Sequence, residues 1–244
     1  MLVLFDIDGT MLSSEGIGVR SINETVSALH GVDCTLEGIP VGGRLDPLIW
    51  DDICEKYDIP CTKECHDDFR SLYTKTLLTN IQDVTVRILP GVSELIDALV
   101  AMDNVTLGVV TGNYKETGTA KIIAAGFDPF VFTANAWGTD GAIRAELPPV
   151  AIAQSEQHEQ VVLLGDTVHD ITSGQSAGCR VIAVCTGSHD RATLEASSPE
   201  LLLEDLSDTK AVLHWIFNTQ NPKLLKNEVF RLMFYEALQF LEYY

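Results

Sequence analysis

Short apolar runs alternate along the chain with stretches of helical periodicity. Leu2 to Phe5 is continuous and apolar, the pattern of a strand buried on both faces of a parallel sheet. Similar runs recur at Val105 to Val110, Val161 to Leu164 and Val181 to Val184, with a weaker one at Phe130 to Thr133. Between them, Val92, Leu95, Ile96 and Leu99 mark one helical stripe, and Lys115 to Ala125, closed by Gly126, predicts another helix with Asn113 and Glu116 spaced as a capping box. Further helices are predicted from about Pro148 to His158, Val168 to Ala177 and Ser207 to Phe217. Strands alternating with helices predict an α/β fold built on a doubly wound parallel sheet with right-handed crossovers.

Residues 14–87 break that alternation and read as three helices. One carries Ile22, Val26 and Leu29, one opens at Asp46-Pro47, and one uses Cys65, Phe69, Leu72 and Thr76. The expected organisation is therefore a sheet domain, 1–13 with 88–219, interrupted by a helical module at 14–87, with the return hinge near Pro90-Gly91. Residues 220–244 form a tail in which a helix from Lys223 to Tyr244, apolar on most sides, wants burial on its own domain or on a second subunit.

Composition narrows the function classes. Sixteen Lys and Arg against 35 Asp and Glu give a net charge of −19, the wrong sign for tracking nucleic acid or an anionic membrane surface. No run approaches the roughly 18–20 apolar residues of a membrane span, and Met1 to Phe5 has no basic flank, so a cytoplasmic protein is expected. The six cysteines read as free thiols. Cys61, Cys65 and His66 lack a second ligand pair, and their helical spacing fits packing rather than zinc.

Candidate chemistry follows directly on three predicted strands: Asp6 with Asp8, Thr111-Gly112-Asn113, and Asp166 with Asp170. In open parallel sheets ligands bind beyond the carboxyl ends of the strands, where such residues converge. Asp6 and Asp8 are two apart and address one face. Carboxylates so close need a cation or shared protons, and an all-oxygen set suits Mg2+. Thr111 offers a hydroxyl, and Gly112 and Asn113 a backbone approach at a helix start, the makings of an anion site. Thr167 and Asp170 are also spaced as a capping box, which accounts for Asp170 and leaves Asp166 unexplained.

Asp6-Ile7-Asp8-Gly9-Thr10, Thr111 after its apolar run, and Gly165-Asp166 with Asp170 resemble motifs of the haloacid dehalogenase-like hydrolase superfamily, and the helical insertion resembles its C1 cap. The likeness covers about residues 1–217 and is closest in pattern to phosphoglycolate phosphatase-like members. It implies a Rossmann-like core with the first strand central and chemistry at the cap–core cleft. It also implies that Asp6 is a nucleophile forming an aspartyl-phosphate and Asp8 the acid and base. Asp6, the Asp8 main-chain carbonyl and Asp166 would hold Mg2+ with Asp170 in support, while Thr111, together with Gly9, Thr10, Gly112 and Asn113, would bind the phosphoryl group. Asp8 favours phosphoryl transfer over dehalogenation.

The superfamily's basic third motif, usually Lys, is absent: the stretch reads Ile143-Arg144-Ala145-Glu146-Leu147-Pro148-Pro149. Arg144 is the expected replacement, whereas Lys121, two turns along its helix, is expected to lie too far away. Arg44, in the loop before the second cap helix, resembles a cap contact to the distal part of a substrate. A Mg2+-dependent phosphatase acting on a small phosphorylated metabolite is expected, as a monomer or homodimer. A sugar phosphomutase and a non-catalytic phospholigand-binding protein are the alternatives.

Overall fold

The computed structural model describes residues 1–155 and 160–217. In chain order the elements are β1 (Leu2–Phe5), β2 (Leu12–Ser13), α1 (Ile17–His30), α2 (Asp46–Tyr57), α3 (Lys63–Asn80), β3 (Arg87–Ile88), α4 (Val92–Val100), β4 (Thr106–Val109) and α5 (Lys115–Ala124). They continue as α6 (Leu147–Ala153), β5 (Val161–Gly165), α7 (Val168–Ser176), β6 (Arg180–Val184), α8 (Arg191–Ala196), β7 (Leu201–Leu203) and α9 (Thr209–Phe217).

Five strands form one sheet in the order β4-β1-β5-β6-β7, and every neighbouring pair is parallel. All four residues of β1 are buried because the strand lies between β4 and β5 with helices over both faces. The period of two divides its side chains: Val3 and Phe5 pack with α4 and α9, whereas Leu2 and Leu4 pack with Leu147 and Ala151 of α6. With β1 inside the sheet, Asp6 and Asp8 leave it at its carboxyl edge.

The chain leaves and re-enters this layer through β2 and β3, which pair antiparallel as a two-stranded ribbon. Between them α1, α2 and α3 share an apolar cluster containing Ile22, Val26, Trp50, Phe69, Tyr73 and Leu77. Trp50 stacks on Phe69 at 4.4 Å, Phe69 on Tyr73 at 5.6 Å, and Tyr73 meets Tyr114 edge-on at 6.2 Å. Since Tyr114 immediately precedes α5, this aromatic series ties the helical cap to the sheet layer. His66 Nε2 and the Tyr114 hydroxyl lie 2.6 Å apart, and Arg70 donates to both Glu116 carboxylate oxygens at 2.9 Å.

Several expectations change. Phe130 to Thr133 is not a strand: Pro129–Val131 is a 3-10 turn capped by Asp128, and the single bridge Leu107 to Phe132 is all the pairing it makes. Pro129 brings no N–H and a fixed φ, which favours the turn. The helix expected from Pro148 ends at Ala153, and the end predicted at His158 lies outside the described residues. So does the tail helix predicted at 223–244. Strand β7 and helix α8 were not anticipated, being three and six residues long. All six cysteines are free.

The cap loop meets the core by backbone contact. A Cβ on Gly112 would stand 2.0 Å from the Arg44 carbonyl oxygen, and the Asp46 amide donates to the Gly112 carbonyl at 2.7 Å. Gly112→Ala should therefore push the loop off the core and lower the urea midpoint by the equivalent of about 1–3 kcal/mol. An unchanged midpoint would contradict this docking.

Candidate active site

Asp6 follows β1, Thr111 follows β4 and Asp166 follows β5, so parallel register alone brings these positions to one edge. Asp6, Asp166 and Asp170 are all buried, and each offers a carboxylate oxygen within 4.8 Å of the others. Close approach of the Asp8-Gly9 turn depends on Gly9, at φ +81°: a Cβ there would lie 2.7 Å from Asp166 Oδ2.

Arg144 enters this cluster from the 3-10 turn Arg144–Glu146. Its Nη2 donates to Asp6 Oδ1 at 2.8 Å and Asp170 Oδ1 at 2.5 Å, and its Nη1 to the Gly43 carbonyl at 3.1 Å. Asp170 is held from its other side by the Thr167 amide and hydroxyl, in a reciprocal capping box at the start of α7. Asp166 accepts from the Ser188 amide at 2.9 Å and from Thr10 Oγ1 at 3.3 Å.

A second cation serves Asp8. Lys121 Nζ donates to Asp8 Oδ2 at 2.5 Å and to Asn113 Oδ1 at 2.8 Å. Asn113 Nδ2 in turn donates to Asp8 Oδ2 at 2.9 Å and Thr111 Oγ1 at 2.8 Å, and Ser14 Oγ to Asp8 Oδ1 at 3.3 Å. This corrects the expectation that Lys121 lies too far off. Its Cα is about 9 Å of helix rise beyond Lys115, but side chains lean toward a helix's amino end and the lysine stem covers the remainder. It also corrects the capping box expected for Asn113 and Glu116: Tyr114 is the N-cap of α5, with no side-chain cap bond, and the Asn113 amide is committed to the Asp8 network.

The electrostatics separate the two halves. Burial raises the Asp6 carboxyl well above the usual range; Arg144 opposes this, while Asp170 and Asp166 add to it. Burial, with Asp170 beside it, pushes Asp166 up to about 7. For Asp8, enclosure pushes upward but is outweighed by the charge and hydrogen bond of Lys121 and the bonds from Asn113 and Ser14, which hold it below its ordinary value. Arg144 keeps its proton because Asp170 and Asp6 outweigh its burial.

With all three carboxylates ionised, the cluster would carry two negative charges beyond its one guanidinium, and each carboxylate pair would repel by about 3.5 kcal/mol or more at an effective dielectric near 20. An oxygen-only, doubly negative, buried donor set suits a hard divalent cation. Asp8 and Lys121 neutralise each other and leave that count unchanged.

These groups face a cavity of about 290 Å3 between cap and core, which Asp6, Asp8, Thr111, Lys121, Arg144 and Asp166 all line. Gly9, Gly112, Asn113 and Arg44 also reach it. The Arg44 guanidinium, however, is paired with Asp52 of α2 at 2.7 Å. Thr10 reaches the site through Asp166, and Asp170 through Arg144. The loop after β6 was overlooked: Ser188 holds Asp166, and Thr186 Oγ1 donates to the Gly9 carbonyl at 2.6 Å. Its signal was a small-polar cluster, Thr186-Gly187-Ser188, one residue beyond the apolar run Val181 to Val184.

The family profile described as haloacid dehalogenase-like hydrolase matches residues 3–184. The chain is 26% identical over 227 residues to pyrophosphatase PpaX of Bacillus pumilus (strain SAFR-032), covering 86% of this chain and 95% of that protein. It is 22% identical over 220 residues to a phosphoglycolate phosphatase of Photorhabdus laumondii, covering 84% and 89%. The fold is shared with CbbY from Rhodobacter sphaeroides in complex with phosphate, at TM-score 0.71 and 21% identity over 85% of this chain and 95% of that one. A predicted phosphoglycolate phosphatase from Haemophilus somnus 129PT has TM-score 0.65 and 22% identity, with 86% and 96% covered.

Asp46, at the start of α2, gives the cleft a pH signature. Burial raises its carboxyl to about 6, although the Lys121 charge and the Tyr114 amide, which donates at 2.9 Å, pull the other way. That value exceeds the ordinary 3.8, so the proton favours the fold; the contribution is complete below about pH 4 and lost as pH rises through about 6. Asp46→Asn keeps the acceptor and removes the charge. It should leave stability near pH 4 unchanged and raise it near pH 8 by about 2–3 kcal/mol. Parallel stability–pH curves for the two proteins would contradict the assignment.

Proposed function

The chain belongs to the haloacid dehalogenase-like hydrolases, and from its site we propose a Mg2+-dependent phosphatase that hydrolyses a small phosphate ester through a phosphorylated Asp6. The reading is carried by one observation: Asp6, held by Arg144, and Asp8, held by Lys121, open on the same small cavity beneath the cap. Relatives named as a pyrophosphatase and a phosphoglycolate phosphatase support the reaction class.

Asp6, Asp166 and Asp170 would hold the metal, with the Asp8 main-chain carbonyl as a further ligand. When bound, Mg2+ supplies charge neutralisation for an anionic nucleophile meeting an anionic ester. Asp6 attacks phosphorus as the bond to the leaving alkoxide breaks, and the proton needed by that alkoxide comes from the Asp8–Lys121 pair. A water then attacks phosphorus, gives its proton to Asp8 and releases phosphate and free Asp6. Thr111 and the Gly112 backbone N–H bind the phosphoryl oxygens, and Asn113 fixes the Thr111 hydroxyl. Arg144 orients Asp6 and balances the cluster, the work usually given to a lysine. Lys121 positions Asp8.

Asp6→Asn should cut kcat by about a thousandfold or more in a phosphate-release assay, and turnover at the wild-type rate would remove Asp6 as nucleophile. Arg144→Ala and Lys121→Ala should each cost about a hundredfold in kcat with the fold retained by circular dichroism. Near-normal kinetics in either would remove that cation from the scheme. Chelation should abolish release and added Mg2+ restore it. Isomerisation of a sugar phosphate without free phosphate would mark a mutase instead.

A further inference from the structure

The cavity offers a substrate little beyond its phosphoryl end. Three cationic side chains line it among the described residues, and each already faces a carboxylate: Arg144 meets Asp6 and Asp170, Lys121 meets Asp8, and Arg44 meets Asp52 at 2.7 Å. In the proposed chemistry the first two serve the transferred group. The opposite wall is built by the cap from Val19 and Ile22 of α1, Val41 of the following loop, Ile49 of α2 and Tyr73 of α3. The linker adds Glu15, whose carboxylate is paired with Arg87 at 3.6 Å. A leaving group directed at this wall meets mostly hydrocarbon, with the Asp46 carboxyl beside it.

A carboxylate or second phosphate placed there would lose water and find only Arg44, whose charge Asp52 already answers, whereas an uncharged carbon chain would gain contact. The volume, about 290 Å3, lies at the small end of ligand cavities. We propose that this enzyme's substrate is a phosphate monoester of a small, uncharged, largely apolar alcohol, and that the cap wall rejects esters carrying a second anionic group. The inference rests on the phosphatase reading. It separates this chain from what the names of its pyrophosphatase and phosphoglycolate phosphatase relatives describe. Discrimination arises as much from the lack of an unpaired cation on the cap side of the cavity as from any attraction to the preferred alcohol.

The test is phosphate release by the full chain with Mg2+ from propyl phosphate, phosphoglycolate and inorganic pyrophosphate, in wild type and in Val19→Lys and Val41→Lys. Wild type should favour propyl phosphate over both others by about tenfold or more in kcat/KM. Either lysine variant should shift the phosphoglycolate-to-propyl ratio toward phosphoglycolate by about tenfold, a comparison within which intrinsic ester reactivity cancels. Because Val41 lies in a loop and is 38% exposed, its variant is informative even where Val19→Lys fails to fold. Wild-type preference for either polyanion, or ratios unmoved in a folded variant, would overturn the inference while leaving the phosphatase intact. No release from any ester would overturn both.

Discussion

The arrangement depends on the repulsion among carboxylates that the parallel sheet forces together. β1 and β5 are hydrogen-bonded neighbours, with Phe5 opposite Leu164, so the acids that follow them have nowhere to separate. Asp6, Asp166 and Asp170 are each at most 5% exposed. Water therefore cannot screen them, and their charges must be met by protein groups, shared protons or an ion. Much of the surrounding structure answers that requirement: the capping box around Asp170, the Ser188 amide on Asp166, and a buried guanidinium joining Asp6 to Asp170. One guanidinium answers a third of the formal charge. The remainder is the charge that a divalent cation would answer.

Asp8 is handled differently, and the difference has a chemical meaning. Its partner is a lysine on α5 rather than the arginine on the 3-10 turn, and a bridging asparagine links that lysine to Thr111. A guanidinium is a fixed fork that does not give up its proton, suited to holding buried carboxylates in register. An ammonium is a compact charge on a flexible stem. Arg144 beside the proposed nucleophile and Lys121 beside the proposed acid and base thus match each cation to the carboxylate it serves. The same residues join cap to core, since Arg144 donates to the Gly43 carbonyl and Asp46 accepts from the amide of Tyr114, the next residue after Asn113. Closing the cleft and charging it are parts of one network.

The legible parts of this molecule are those governed by local pattern. Continuous apolar runs marked β1, β4, β5 and β6, and the rule that chemistry gathers at carboxyl strand ends brought Asp6, Thr111 and Asp166 together. What local pattern missed was decided by partners far along the chain. Asn113 has a capping residue's spacing to Glu116, yet its amide bonds an aspartate 105 positions away. Lys121 was excluded by helix rise, a statement about Cα atoms, while the bond is made by a long side chain leaning back along the helix. Arg44 appeared directed at a ligand, but Asp52 lies two turns along α2 and claims it. The loop after β6 obeyed the same strand-end rule as the other clusters and was overlooked because its residues carry no charge.

A net charge of −19 and an anionic substrate are compatible because the two act over different distances. At physiological ionic strength the field of exposed acids fades over about 8 Å, whereas buried charges are screened far less. Most of the acidic excess is therefore weak at the cleft, where Arg144 and Lys121 are at most 7% exposed and retain near-full strength. The cleft is selective rather than simply attractive. Its core side sets four carboxylates against Arg144 and Lys121, a deficit that a divalent cation would fill, and its cap side provides apolar contact with Glu15, paired to Arg87, at the linker. On the proposed reading a phosphoryl group at the core end would be stabilised by those cations together with the metal, and a second anion at the cap end would meet no unpaired cation, Arg44 being held by Asp52. Specificity of that kind follows from where cations have been withheld.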